Sequence, residues 1–480
     1  MKSAYRATAI LASGSAVTVV VGLVSAKVWA LLVGPAGIGL LGLMMSLVGL
    51  GGIVASLGIG TGLVREGANA LGRQDLARAA VIQRAAYNAT LALAAVAAVA
   101  FLALRRPISG WMLGGSEHAA SVPLLGLAVA LTLIAGIQTS TLNAHHQVSA
   151  LARFAVVNSL VGAALSLSIL WFWRELGIPY AVLSTTTVSA VLATWMTRRR
   201  IETVPYRPSP EELRDASRSL LRFGIPFTAS ALVGSGVQLA LPILVLHLLD
   251  TESVGFYRAA VSLSVGYLGF LLTAMAQDYY PRVSRVSGEP EKLRELVNQQ
   301  LHLITAIGAP IVILGLALAP LLVPLVYAPS FRPAVPVLEW QMVGNLFKFW
   351  SWTMSFVILA RSGSRVFFFT EFVGGMATLG ASWIGVRLFG LPGMGIAYLA
   401  AYLIYAAVVW AVVRKEIRFA LARRNMAPML TALLASLVVL VLPFTPLHTA
   451  TIPVAVALAV LVLLACGSAV WRLIPRTRAA

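Results

Sequence analysis

Charge is what this 480-residue chain has least of: 11% of its residues are Asp, Glu, Lys or Arg, where a soluble domain carries about a quarter. That shortage excludes an ordinary soluble domain. With 59% hydrophobic residues and a mean hydropathy of +0.87, a membrane protein is left. Cysteine is almost absent, and Cys466, within an apolar stretch, excludes a disulfide framework and a cysteine-based metal centre. Acids are scarcer than bases, 17 against 36. No G-x-x-x-x-G-K-[ST] phosphate loop and no ATP-binding domain is present. His145-His146 is a loop pair without carboxylate or cysteine companions. No metal, no cofactor and no catalytic constellation are therefore expected, and the chain does not read as an enzyme.

What is there is a succession of apolar runs of about 20 residues, the length that crosses the hydrocarbon core as a helix. Lys2 and Arg6 before the first run resemble a signal peptide, but that run is too long and more spans follow. The pattern predicts an all-α polytopic protein of about 14 transmembrane helices: 7–33, 38–62, 85–104, 122–142, 154–173, 178–197, 223–249, 254–280, 301–327, 334–360, 366–387, 392–413, 428–444 and 452–471. With the N-terminus cytoplasmic, 28 basic residues fall in cytoplasmic segments, five outside and three within spans. The positive-inside rule then puts both termini in the cytoplasm. The net charge of +19 is thus largely topology, and scattered loops make a poor nucleic-acid face. The longest cytoplasmic loops are expected at 65–84, 198–222 and 281–300, and "PEKLRELVNQQLHL" (290–303) reads as a short interfacial helix leading into the next span.

The chain also repeats itself. "GSEHAASVPLL" (115–125) resembles "APSFRPAVPVL" (328–338), and at the same offset of 213 "GIP" (177–179) falls on "GLP" (390–392). "GPAGIGLLGLMMS" (34–46) follows the first span as "ESVGFYRAAVSLS" (252–264) follows the seventh. Two pseudo-repeated six-helix bundles are expected, an N-terminal lobe over 1–200 and a C-terminal lobe over 223–415. They are joined by a cytoplasmic linker, 201–222, and followed by two extra helices and a basic tail, 416–480. Such repeats build a central cavity between two halves that rock in transporters.

Charge inside a span costs roughly 2.5–3.5 kcal/mol and marks a functional site unless the side chain snorkels to the interface. Lys27, in "SAKVWALLVGP", lies about 10 Å inside the outer end of its span. Arg258 is followed at helical spacing by Ser262, Gly269, Thr273 and Tyr280, a polar and small stripe. Lys348 lies near mid-span, about 20 Å from either end, with Gln341 and Asn345 on its face at i−7 and i−3. Glu371 shares a stripe with Gly375, Thr378, Ser382 and Gly385. Asp278 stands one turn from Arg282, which could pair with it, and Glu339 lies opposite Lys348 near the outer surface.

"K-x-x-A-x-x-x-G-P-A-G-I-G-L" (27–40), "VGFYRAAVSLSVGYLGFLLTA" (254–274), "YYPRVSR" (279–285), "LEWQMVGNLFKF" (338–349) and "LARSGSRVFFFTE" (359–371) together resemble Wzx-type O-antigen and enterobacterial common antigen flippases. These belong to the multidrug/oligosaccharidyl-lipid/polysaccharide exporter superfamily, and the resemblance covers roughly residues 1–415. It implies a transporter of the bacterial inner membrane that moves an undecaprenyl-pyrophosphate-linked oligosaccharide to the outer leaflet for surface polysaccharide biosynthesis in the cell envelope. Lys27, Arg65, Lys348 and Glu371 fall at charged family positions, and Arg258 resembles the cavity arginine of lipid II flippases. The substrate's pyrophosphate would meet Lys27, Arg65, Arg258, Lys348, Asn345 and Gln341. Glu371 or Asp278 would couple transport to an ion. A polymerase and a chain-length regulator are the implied protein partners. A multidrug exporter and a membrane glycosyltransferase or polymerase are the alternatives. The first is disfavoured by basic residues deep in the spans, the second by short outer loops.

Overall fold

The computed structural model describes residues 2–201, 205–446 and 448–473. Helix makes up nearly all of it, and no strand occurs among the described residues. Contacts divide the chain into two units, Met1–Gly255 with Val326–Ala328, and Phe256–Leu325 with Pro329–Ala480. The division falls at Gly255, not in 201–222, where a helix begins at Pro210. The basic tail beyond 473 lies outside the described residues.

In the first unit, α1 (Lys2–Ser56) holds two spans in one run. At Gly34 its backbone leaves the helix, with φ 64° and ψ −171°, and Pro35 follows. Glycine takes positive φ without a Cβ clash, and Pro35 has no N–H for the preceding turn. Such a break strips carbonyls of helical partners. Arg174 supplies one replacement, its Nη1 donating to the Leu32 oxygen at 3.3 Å. A second break, Leu57–Gly58, has positive φ at both residues and leads into α2 (Ile59–Gly72). Asp75 then caps α3 (Leu76–Ala103) by accepting from the Arg78 N–H. The stretch 65–84 is therefore mostly helix where a loop was expected. The reason is burial: Leu63, Ala70, Val81 and Ile82 pack with Ala216 and Leu220.

A short helix, α4 (Arg105–Met112), precedes α5 (Val122–Ala144). Arg174, at φ 49°, and a 3-10 turn to Gly177 join α6 (Val148–Trp173) to α7 (Ile178–Arg200). A Ser209–Glu212 capping box opens α8 (Pro210–Leu248), which bends by 45° between Ala229 and Gly234. Two glycine crossings lock the unit. A Cβ on Gly58 would lie 2.4 Å from the Gly224 oxygen, and one on Gly255 would lie 1.9 Å from the Pro35 oxygen. Only glycine permits backbones that close.

The chain passes through α9 (Thr251–Val261) into the second unit, then through a π-helical turn, Ser262–Gly266, to α10 (Tyr267–Arg285). The next helix, α11, runs unbroken over Pro290–Val326. The expected short helix 290–303 is simply its opening, because no proline interrupts the run before Pro310. After a 3-10 turn, α12 (Val335–Val357) passes through another π-helical turn, Ile358–Ser362, into α13 (Gly363–Phe389). α14 (Gly393–Ile417) follows, then α15 (Arg423–Val441) and α16 (Thr451–Leu473).

Among the described residues nine helices are long and apolar enough to cross a membrane, and the bent α8 is a tenth. Two of the nine, Val17–Ser56 and Val148–Arg200, each carry two spans about the breaks at Gly34 and Arg174. With the more polar α12 and the shorter apolar part of α16, Thr451–Gly467, all fourteen expected spans have a helix. The repeat has a structural counterpart too. Ahead of α5 and of α12 stands a 3-10 turn, and each helix carries proline in its first turn, Pro123 and Pro336. Proline fits there because the first-turn N–H groups have no helical acceptor.

The last two helices are tied to α11 by a buried polar knot. Asn298 Nδ2 donates to the Arg294 and Ala420 carbonyls, and its Oδ1 accepts from the Ala422 N–H at 2.8 Å. Asn425 Nδ2 donates to the Asn298 carbonyl at 2.8 Å, and its Oδ1 lies 3.1 Å from His302 Nδ1. The other ring nitrogen of His302 is 3.0 Å from the Cys466 carbonyl. His302→Leu removes the single ring N–H that a neutral imidazole donates to these acceptors, at about 1–3 kcal/mol. It should lower the thermal unfolding midpoint of the detergent-solubilised protein and speed proteolysis between α14 and α15. An unchanged midpoint and digestion pattern would show that this knot does not hold α15 and α16.

Candidate functional site

The polar chemistry of the second unit converges on α12, which is too polar to count among its apolar spans. Lys348 is half-buried there, its Nζ 5.6 Å from the centre of the Tyr402 ring on α14. Among the described residues no carboxylate lies within ion-pair distance of it. An aromatic face attracts a cation by its quadrupole, by about 0.5–2 kcal/mol, but does not neutralise it. Lys348 thus keeps its capacity to bind an anion.

Tyr402 is one of three tyrosines, with Tyr398 and Tyr405, on a single face of α14 at i, i+4 and i+7. The Tyr398 and Tyr402 ring centres are 4.7 Å apart, and those of Tyr402 and Tyr405 are 6.3 Å apart. The Tyr398 hydroxyl donates to Asn345 Oδ1 on α12 at 2.9 Å, and the Tyr405 hydroxyl donates to Glu371 Oε1 on α13. Glycine notches seat the two outer rings. A Cβ on Gly344 would lie 2.6 Å from Tyr398, and one on Gly374 would lie 2.7 Å from Tyr405. A tyrosine ladder therefore runs from α12 to α13, with the Lys348 ammonium over its middle rung.

Gln341 and Asn345 sit beside Lys348 but are 1% and 0% exposed, and both are engaged. Ser264, in the first π-helical turn, donates from Oγ to Gln341 Oε1 at 2.5 Å, and its carbonyl accepts from Asn345 Nδ2 at 3.3 Å. Here the two amides hold α12 to the Ser262–Gly266 turn and to Tyr398, and present no open face to a ligand. That differs from the expectation of ligand-contacting side chains. Helical spacing puts residues on one face without saying which neighbour covers it.

The other candidates are dispersed. Arg258 is half-buried on α9. Asp278, exposed at the end of α10, accepts from Arg282 Nη1 at 3.1 Å, the i,i+4 pair its spacing suggested. Exposed pairs of this kind contribute a few tenths of a kcal/mol. Glu371 is exposed and held by Tyr405. In the first unit, Lys27 is half-buried on α1, where Val24 and Leu31 flank it on the outside. Arg65, on α2, is exposed and stacks its guanidinium 4.4 Å from the Phe223 ring centre, and the neighbouring Glu66 accepts from Ser219 Oγ at 2.5 Å. No group of three metal-ligating side chains occurs among the described residues. In the turn before α6, burial first and then the neighbouring His146 hold the His145 imidazole below its ordinary pKa.

The tyrosine ladder and Ser264 escaped the sequence reading. Its signal was present in "AYLAAYLIYAA" (397–407), whose tyrosines keep one helical face, but uncharged residues in an apolar run look like core.

Comparison with known proteins gives this architecture a context. A family model described as "Polysaccharide biosynthesis protein" matches residues 28–336. The lipid III flippase of Escherichia coli (strain K12) is 23% identical over 413 residues, 84% of this chain and 96% of that protein. Lipid II flippase MurJ, in an inward closed conformation, superposes with a TM-score of 0.72 at 14% identity, covering 96% of this chain and 98% of its own. The inward-facing conformation of a multidrug resistance MATE family transporter of the MOP superfamily gives 0.70 at 18% identity, over 84% and 94%. These relatives are flippases and transporters, as the motifs implied, and the fold is the polytopic helical fold expected.

The glycine seats yield a stability prediction. Gly344→Ala drives a methyl into the Tyr398 ring, an overpacking cost of about 1–3 kcal/mol. Tyr398→Phe only leaves the Asn345 oxygen short of a donor, at about 1 kcal/mol. Thermal unfolding should rank wild type above Tyr398→Phe above Gly344→Ala. The reverse order for the two variants would mean that the ring's seat does not govern α12–α14 packing.

Proposed function

This chain belongs to the polysaccharide biosynthesis protein family, and from that premise we propose that it flips an undecaprenyl-pyrophosphate-linked oligosaccharide across a bacterial plasma membrane, from the cytoplasmic to the outer leaflet, by alternating access. The observation that carries the reading is Lys348, a half-buried cation in a spanning helix with no carboxylate in ion-pair reach among the described residues. A pyrophosphate entering the hydrocarbon region loses its hydration, and an unpaired ion there costs several kcal/mol. Charge-assisted hydrogen bonds from a fixed ammonium offset that cost. Arg258, half-buried in the same unit, offers a further position for the head group, and Lys27, half-buried in the first unit, offers one of its own, while the polyprenyl tail stays in lipid.

Of the two acids considered for coupling, Asp278 is occupied by Arg282 at a helix end. Glu371 is held by a neutral tyrosine hydroxyl, so it is free to exchange a proton or bind a cation without breaking an ion pair. The excess of arginine in alternate connections supports cytoplasmic placement of both termini. The glycan delivered outside would pass to a polymerase and its chain-length regulator.

Replacing Lys348 by alanine should abolish surface glycan at an unchanged level of the protein in the membrane, with Lys348→Arg retaining a share. Tyr402→Phe, which keeps the ring face, should remain active, whereas Tyr402→Leu should lose most transport. Normal glycan display in the Lys348→Ala strain would end the proposal.

A further inference from the structure

The first unit contains a cavity that none of the candidate charges touches. It has a volume of about 320 Å³ and lies among α1, α2, α3, α5 and α8. Among the described residues no ionisable side chain lines it, and its polar side chains are all hydroxyls. Gly58, at the α1–α2 break, lies in its wall beside the crossing with Gly224.

Six hydroxyl side chains line this cavity, and they divide into two groups. Serines and threonines in helices ordinarily donate to the carbonyl three or four residues back. Ser56 and Thr132 in the cavity wall do so, as do Thr139, Thr141, Ser168, Ser184 and Thr187 elsewhere in the unit. Four that line the cavity, Thr61, Thr90, Ser140 and Thr228, form no side-chain hydrogen bond among the described residues, although Thr90 and Thr228 are only 6% and 5% exposed. Phe227, beside Thr228 on α8, adds an aromatic ring to the lining with half its surface uncovered.

Each ligand class meets a different fate here. An alkyl chain would leave four hydroxyls without partners, at about 1–3 kcal/mol for each buried group. A phosphate would find no cation, and a metal no carboxylate. A neutral ring bearing its own hydroxyls satisfies the four, and its C–H face lies against an aromatic ring. The volume stands at the lower end of the roughly 300–1,000 Å³ of small-molecule pockets, enough for a sugar unit and too small for an oligosaccharide.

We propose that this cavity is a sugar subsite, taking one uncharged pyranose residue through Thr61, Thr90, Ser140 and Thr228 with Phe227 as the stacking wall. It rests on the flippase reading for the identity of its occupant, a residue of the lipid-linked glycan. It separates recognition of the sugar from that of the pyrophosphate at Lys348.

Cysteine protection tests it, because the wild-type chain has a single cysteine, Cys466, which is fully buried and serves as the blank. Thr90→Cys and, independently, Thr228→Cys are produced in the full chain, and membranes are labelled with N-ethylmaleimide. The probes are the methyl glycosides of glucose and N-acetylglucosamine, with inorganic pyrophosphate as the comparison. A glycoside at about four times its dissociation constant should slow labelling about fivefold, and pyrophosphate should leave the rate unchanged. Equal rates with and without both glycosides, protection by pyrophosphate alone, or failure of both introduced thiols to react in the absence of sugar would overturn the subsite. The flippase reading fails separately, through normal glycan display in the Lys348→Ala strain, which this labelling does not measure.

Discussion

In a hydrocarbon solvent one apolar helix gains nothing from hiding its leucines against another, so each contact in this fold must draw its specificity from close approach or from hydrogen bonding. Both devices occur at defined places. Gly58 against Gly224 and Gly255 against Pro35 bring backbones together where any side chain would separate them. Ser264, Gln341, Asn345 and Tyr398 fasten α12 to its neighbours, and Asn298, His302 and Asn425 fasten α15 and α16 to α11. These knots are buried and cooperative, so removing one member strands the others.

Against that background the few charges fall into two groups. Asp278–Arg282, Arg424–Glu295 and Arg361–Glu416 are pairs near helix ends, partly or largely exposed. Lys348 is different in kind, a half-buried cation facing a tyrosine ring. The ring attracts an ammonium without cancelling it, which leaves the cation able to take a transient anionic ligand. The tyrosine ladder extends from that cation to Glu371 through aromatic contacts and hydroxyl bonds confined to α12, α13 and α14. Small residues make the ladder possible, since Tyr398 and Tyr405 lie in notches that Gly344 and Gly374 leave open.

The motif resemblance becomes physical at the same places. "GPAGIGL" spans the Gly34 break and the Gly39 crossing with Thr251, and "VGFYRAAVS" contains the Gly255 crossing and reaches the π-helical turn. Diffuse as sequence, these segments are where helices break or touch. The segment 290–303 shows a limit of sequence reading: its mixed charge suggested a separate surface helix, but helix continuity depends on proline and backbone hydrogen bonds, and neither changes until Pro310. Gln341 and Asn345 show another, since periodicity put them beside Lys348 while burial gave them to Ser264 and Tyr398.

The sequence by itself determined that the chain is an all-helical, multi-pass membrane protein and which of its runs are long and apolar enough to span. Each of these follows from local quantities: run length, hydropathy, proline, glycine and charge. Only the tertiary structure decided that Tyr402 covers Lys348, that Tyr405 holds Glu371, that a histidine ties down the last two helices, and that four threonine and serine hydroxyls around a cavity have no side-chain hydrogen bond among the described residues. Those depend on which helix faces which, and apolar helices of similar composition leave that choice to a few small and polar residues distant in the chain.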